Sequence, residues 1–232
     1  MKTPFDVLPR PVVPIAGRDE AFPVHRIYCV GRNYADHARE MGSDPTREPP
    51  CFFCKPADAI VLSGGAAAYP PRTSNLHHEI EFVVAIGRGG REVPVSEALS
   101  HVYGYAVGND LTRRDLQAQA KASGQPWDVS KGFDDSAVVS PIQPATVVGH
   151  PSKGRIWLSV NGSLRQQADI ADMTWNVPEI IAELSTLFTL RAGDLIYTGT
   201  PAGVGALRPG DRIDGGVDGV ATMVHSIAHP FA

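Results

Sequence analysis

Cysteine, basic charge and long apolar runs are all scarce in these 232 residues. Three cysteines (Cys29, Cys51 and Cys54) cannot all pair, which excludes the dense disulfide framework of a small secreted domain. A formal net charge of −4 leaves no basic surplus for a phosphate backbone, so nucleic acid is not an expected partner. No apolar run approaches the ~20 residues a membrane helix needs, so no membrane partner is expected either. The stretch Met1 to Gly17 is proline-rich and has no signal-peptide core, which makes the cytoplasm the expected location.

Hydrophobic residues make up 43% of the chain, an ordinary globular composition. The 23 glycines and 20 prolines show no repeat period. They punctuate short apolar runs, a pattern that predicts many strands and few long helices. Residues 1–24 read as an extended proline-rich arm, and 25–232 as one catalytic domain of mixed, mostly β, architecture. Strands are expected at Arg26 to Val30, Glu79 to Gly87 and through "YAVGND" to Asp110. A short helix is expected over 34–42, with Asn33 as its cap and Gly42 as its stop. A second is expected over "SEALSHVYG", and a third over 112–124, with Thr112 as cap and Asp115 completing a capping box. "VPEIIAELSTLF" reads as an amphipathic helix with Pro178 near its first turn.

The sharpest local feature is Glu79-Ile80-Glu81. Side chains alternate across a strand, so Glu79 and Glu81 point to one face. Asp110 ends another apolar strand. Three carboxylates at strand ends suit a hard divalent cation such as Mg²⁺ or Mn²⁺, and the lack of thiolates argues against zinc. The alternative is a solvated acidic face paired with arginines. His77 and His78, just before the pair, read as supporting rather than ligating residues. His37 and Glu40, three apart on a helix, share a face, and a histidine held by a carboxylate can act as a general base. The alternative there is a chance pair on a surface helix. Tyr34 shares that face as packing or site lining. Arg113 is expected to face solvent, and Trp127, Trp157, Trp175, Phe52 and Phe53 to pack in the core or an interface. A metal or redox module on Cys51-x-x-Cys54 is disfavoured: no second such pair completes a site, and the two cysteines fall on opposite strand faces.

The segments "GRNYADHAREMG" (31–42), "FCKPADAIV" (53–61), "LHHEIEFVVAIG" (76–87), "YAVGNDLTRRDLQAQAKASGQPWDVSKGFDDSAVVSP" (105–141) and "LRAGDLIYTGTPAGVG" (190–205) together resemble the fumarylacetoacetate hydrolase family. The likeness runs in order over almost all of 25–232 and is strongest toward the short acylpyruvases and fumarylpyruvate hydrolases. It implies an α+β, mostly β fold, a mixed β-sandwich roll of the fumarylacetoacetate hydrolase C-terminal-domain type, in a homodimer. It implies a Mg²⁺ or Mn²⁺ site at Glu79, Glu81 and Asp110. It further implies a catalytic His37/Glu40 dyad on a lid, an active-site lysine at Lys131, and substrate contacts from Arg114, Gln117 and the "TGTP" turn, Gly199 and Thr200 included. Arg32, beside the lid, is a candidate for a distal substrate carboxylate. The activity implied is metal-dependent hydrolysis of the C–C bond of a 2,4-diketo acid, foremost fumarylpyruvate to fumarate and pyruvate in gentisate breakdown. Oxaloacetate decarboxylation or isomerisation in the same family is the alternative.

Overall fold

The computed structural model describes residues 2–42 and 48–230. Met1 of the expected arm and residues 43–47 and 231–232 of the expected domain lie outside the described residues. The fold is mostly β with few helices. An eight-stranded mixed sheet runs in the order Cys51–Lys55, Ile27–Gly31, Leu195–Tyr197, Ile80–Ile86, Val102–Asp110, Ala137–Val139 and Ile60–Leu62, with Gln143–Pro144 added against Val102–Asp110. A five-stranded sheet runs in the order Ser163–Asp169, Arg155–Val160, Arg212–Val217, Ala221–Ala228 and Ala66–Ala68.

The strand Ile80–Ile86 shows why its sequence is almost continuously apolar. It is buried along its whole length. Ile80, Phe82, Val84 and Ile86 join one core with Ile156, Leu158, Ile213, Met223 and Ile227 of the five-stranded sheet. Val83 and Ala85 face the other way, onto Ala106, Val139, Leu195 and Tyr197. A strand covered on both faces loses the polar alternation of an open sheet. Glu81, of the same parity as Val83 and Ala85, is therefore a charge placed inside an apolar layer.

The stretch read as an extended arm is more structured than its prolines imply. Val12–Pro14 and Ala21–Pro23 pair as an antiparallel hairpin. Val13, Phe22 and Val24 are buried in the second core with Ile27 and Cys29. Helix ends also differ from expectation. The third helix spans Arg114–Ala122 and has no side-chain cap. Asp115 instead accepts from the Thr73 hydroxyl at 2.6 Å, and Thr112 is a short strand residue. "SEALSHVYG" forms a 3₁₀ helix over Val95–His101. The helix Val177–Leu187 closes with a capping box, Asn176 and Glu179 exchanging side-chain-to-backbone bonds of 3.1 Å. Cys29, Cys51 and Cys54 are free thiols. No helix among the described residues is long and apolar enough to cross a membrane.

Candidate active site

The β register brings two of the three acids together before any side chain is considered. Glu81 lies opposite Gly108 in the antiparallel pair. Asp110, two residues further along, therefore projects from the same face as a diagonal neighbour. Glu79 sits just before its strand, with its backbone N–H donated to Asn109 Oδ1 at 2.8 Å. One carboxylate oxygen from each of Glu79, Glu81 and Asp110 falls within 4.8 Å of the others, and all three residues are buried. The alternative of a solvated acidic face is thereby excluded.

Three cations balance the three acids. Lys131 Nζ donates to Glu79 Oε2, Asp110 Oδ2 and Thr112 Oγ1, each at 2.7 Å. The Arg114 guanidinium bonds Glu79 and donates to Gln117 Oε1 at 2.5 Å. Lys55 Nζ stands 2.7 Å from Asp110 Oδ1 and donates to Leu111 O at 3.1 Å and to Lys131 O. Burial pushes the Glu79 carboxyl up, but Lys131 and Arg114 outweigh it and hold the group below the usual carboxylate range. Glu81 goes the opposite way. Burial, then Asp110 and Glu79, raise its carboxyl well above the usual value, against Lys131 and the Gly199 N–H. Burial lowers the Lys131 ammonium, yet Asp110 and Glu79 raise it overall.

A cation fits this set. All three ligating groups are hard oxygens, as Mg²⁺ and Mn²⁺ prefer. Asp110 Oδ1 is buried and accepts no hydrogen bond, although the Lys55 ammonium lies beside it. Such an atom retains a lone pair for a ligand.

The short helix Ala35–Glu40 lies beside the acids. His37 is buried, with Nδ1 3.1 Å from Glu40 Oε2. Burial lowers the His37 pKa, partly offset by Glu79 and Glu40, which favours the neutral ring. Glu40 also accepts from the Gly203 N–H at 3.0 and 3.2 Å, which ties the helix to the turn after Thr200. Asn33, expected to cap this helix, does something else. Its amide donates to Trp175 O at 2.9 Å and Thr198 O at 2.8 Å, and accepts from Trp175 N–H at 2.8 Å. It thus holds the entry of the helix against the "TGTP" turn.

One cleft collects most of the expected residues. Arg32, His37, Glu79, Glu81, Arg114, Gln117, Lys131 and Thr200 line it. Glu40 reaches it through His37, and Asp110 through Lys131. Arg32 adopts φ +58°, a left-handed backbone that a non-glycine residue rarely takes, and its guanidinium is 4.0 Å from Glu48. Two expected residues are placed differently. Tyr34 is buried outside this cleft, in the lining of another with Asp36, Arg39 and Asp172. Gly199 contributes no free N–H, because it donates to Glu81 Oε2 at 2.7 Å. Its φ of +97° and the 2.7 Å that a Cβ would leave to Asn33 Cβ require glycine there.

A family model for the fumarylacetoacetate hydrolase C-terminal domain matches residues 26–228. The chain belongs to the fumarylacetoacetate hydrolase family. Among curated proteins it is 45% identical over 197 residues to the rat mitochondrial oxaloacetate tautomerase FAHD1, covering 85% of this chain and 89% of the relative. Among solved structures it is similar to the Pseudomonas aeruginosa fumarylpyruvate hydrolase in complex with Mn²⁺ and pyruvate, at 50% identity and TM-score 0.96, covering 98% of this chain and all of the other. It is also similar to a Mycobacterium marinum 2-hydroxyhepta-2,4-diene-1,7-dioate isomerase, at 32% identity and TM-score 0.79, covering 94% and 77%. The fumarylacetoacetate hydrolase fold therefore carries an acid triad here that can hold a divalent metal.

Sequence reasoning missed several parts of this family site. Lys55 reads as one more strand residue, yet its amine is fully buried against Asp110. Lys121, Phe53 and Trp127 also line the cleft, Trp127 edge-on to Phe53 at 5.8 Å. Arg113, expected in solvent, stacks over Phe133 at 4.5 Å and donates to Val129 O, away from the cleft. Gln166 lies on the distant strand Ser163–Asp169 and has no motif around it. A lysine inside an apolar run such as "CFFCK" is the one signal that could have been read, since a buried ammonium demands a partner.

Proposed function

We propose that this enzyme hydrolyses the C–C bond of a 2,4-diketo acid, foremost fumarylpyruvate, to release pyruvate. The observation that carries the reading is one cleft in which a carboxylate-held histidine stands beside a triad of acids braced by lysine. Glu79, Glu81 and Asp110 would hold Mg²⁺ or Mn²⁺, which when bound supplies Lewis-acid polarisation of the substrate's carboxylate and 2-oxo oxygen. His37 takes a proton from water, with Glu40 stabilising the imidazolium that forms. The hydroxide attacks the 4-oxo carbon, the C3–C4 bond breaks to give the carboxylic acid and the enolate of pyruvate, and the proton held by His37 passes to C3 to give pyruvate. The ammonium of Lys131 offsets negative charge developing on the departing enolate, where it acts with little competition from water. Thr200 faces the substrate carboxylate. Arg32 and Lys121 give the cleft a cationic lining suited to a second, distal carboxylate such as that of a fumaryl group.

We further place the enzyme in the cytoplasm as a homodimer acting in aromatic catabolism. A second reading, oxaloacetate keto–enol tautomerisation, is favoured by the 45% identity to the rat tautomerase. Oxaloacetate decarboxylation also stays open, because it would form the same stabilised enolate. Neither needs an attacking water. The test is loss of diketo-enol absorbance from fumarylpyruvate with Mg²⁺, Mn²⁺ or EDTA, beside oxaloacetate assays for enol loss and CO₂ release. Metal-dependent loss with one pyruvate released per turnover, abolished in Glu79→Ala, supports the hydrolase. Oxaloacetate turnover with no fumarylpyruvate cleavage refutes it.

A further inference from the structure

We infer that Gln166 is a positioning residue that sets the direction of the Thr200 hydroxyl, and through it the affinity of the cleft for a substrate carboxylate. This rests on the reading above, in which Thr200 faces that carboxylate. Gln166 is almost fully buried and comes from the five-stranded sheet, remote in sequence from both segments it touches.

Its amide makes all four hydrogen bonds available to it. Oε1 takes the Ile80 N–H at 3.1 Å and His78 Nδ1 at 2.8 Å. Nε2 donates to Pro201 O at 2.8 Å and to Thr200 Oγ1 at 2.8 Å. Two of these partners fix the amide's orientation. A backbone N–H can only donate and a proline carbonyl can only accept, so oxygen must face Ile80 and nitrogen must face Pro201. The second Nε2 proton is then committed to Thr200 Oγ1. A hydroxyl carries one proton, and with a lone pair already engaged by Gln166 that proton points away from the amide. Among the described residues Thr200 has no protein acceptor for it, and Thr200 lines the cleft. The hydroxyl is thereby oriented to donate to an anion.

The backbone is built around this contact. Strand pairing shifts register between Leu158 and Ser159, leaving Arg165 as an extra residue beside Gln166. A bulge re-aims the side chain next to it, and Gln166 is the one buried residue in a run of exposed neighbours. The Arg165 carbonyl then meets Gly203, where a Cβ would come within 2.3 Å, so the turn from Thr200 to Gly203 seats directly on the bulge.

The experiment is a double-mutant cycle on the Mn²⁺-loaded full chain, using Gln166→Glu, Thr200→Val, both together, and Thr200→Ser. The readouts are pyruvate affinity by calorimetry and KM and kcat for fumarylpyruvate. In Gln166→Glu, Oε1 still serves Ile80 and His78, but the second oxygen leaves the Pro201 carbonyl without a donor and accepts the threonine proton, turning it out of the cleft. We expect Gln166→Glu and Thr200→Val each to weaken pyruvate binding about tenfold or more and to raise KM more than they lower kcat. The double variant should be no weaker than Thr200→Val, and Thr200→Ser, which keeps the hydroxyl, should bind more tightly than Thr200→Val. Additive losses, or parental affinity in Gln166→Glu, would reduce Gln166 to a structural residue. Should Gln166→Glu fail to fold, parental pyruvate affinity in Thr200→Val overturns the inference by itself. Parent protein that binds pyruvate without cleaving fumarylpyruvate refutes the hydrolase reading alone, and the binding cycle still decides the role of Gln166.

Discussion

Lys55→Met is the substitution that most directly tests how the acid triad is held. The Lys55 amine is fully buried, 2.7 Å from an equally buried Asp110 carboxylate. Methionine matches the length and volume of the stem but leaves the site one positive charge short. Removing one partner of a buried ion pair costs about 3–5 kcal/mol, chiefly for the charge left behind. Leu111 O and Lys131 O also lose a donor. Because Lys131 still bonds Asp110 Oδ2, the lower end of that range is expected. At roughly 2–4 °C per kcal/mol for a chain of this size, the melting temperature in EDTA should fall by roughly 6–12 °C. Mn²⁺ should reverse part of the loss, since a divalent cation supplies charge where Lys55 did, so that the variant binds it more tightly than the parent and gains more than the about 2.7 kcal/mol that the parent gains at a hundred times its Kd. The assay is thermal and urea unfolding of both proteins, with EDTA and with saturating Mn²⁺. Equal stability of variant and parent in EDTA would refute the charge-balance argument. An equal penalty in EDTA and Mn²⁺ would show that Lys55 is a packing residue and not a counter-charge.

Three other outcomes follow from the same geometry. His37→Ala should lower kcat on fumarylpyruvate by about 10²–10⁴ while leaving Mn²⁺ affinity within about twofold; parental kcat would remove the dyad from the reaction. Asn33→Ala removes three hydrogen bonds at once, those to Trp175 O and Thr198 O and that from Trp175 N–H, and should cost about 2–4 kcal/mol in urea unfolding and speed proteolysis within Ala35–Glu40. His225 is buried, and its Nε2 lies 2.9 Å from an Asn109 amide whose orientation is fixed by the Glu79 N–H, so Asn109 donates and the ring must stay neutral. Burial lowers its pKa to about 4. The folded pKa is then below the unfolded value near 6.5, the unfolded chain binds the extra proton between the two, and stability is lost as pH falls through that window. The parent should lose about 3 kcal/mol more than His225→Gln between pH 7 and pH 4, read by urea unfolding.

How much of this was legible in the sequence depends on the distance over which each interaction acts. Glu79 and Glu81 could be paired from strand alternation alone, and His37 with Glu40 from helix spacing, because both relations are local. Asp110 could be added because an acid ending an apolar strand is conspicuous. Helix caps misled where a better partner lay elsewhere in the fold: Asn33 is drawn to Trp175 and Thr198, and Thr112 to Lys131. The hairpin over residues 12–23 was obscured by prolines that sit at its edges, where no ladder N–H is needed.

Lys55 and Gln166 illustrate a different limit. Each acts across more than thirty residues of chain, and each is defined by what it neutralises or orients rather than by its neighbours. The site is a balance of three acids and three cations. Only the acids leave a local signature, because two of them must share one strand face, whereas a counter-charge can arrive from any element that reaches the cluster. Lysine at 55 comes from an edge strand of the eight-stranded sheet, lysine at 131 from a single helical turn, and arginine at 114 from the start of a helix. A charge inside a closed β layer must be offset wherever the chain can offer a cation. Once the acids are assigned from sequence, the few lysines that fall in apolar surroundings are therefore the residues to pair with them.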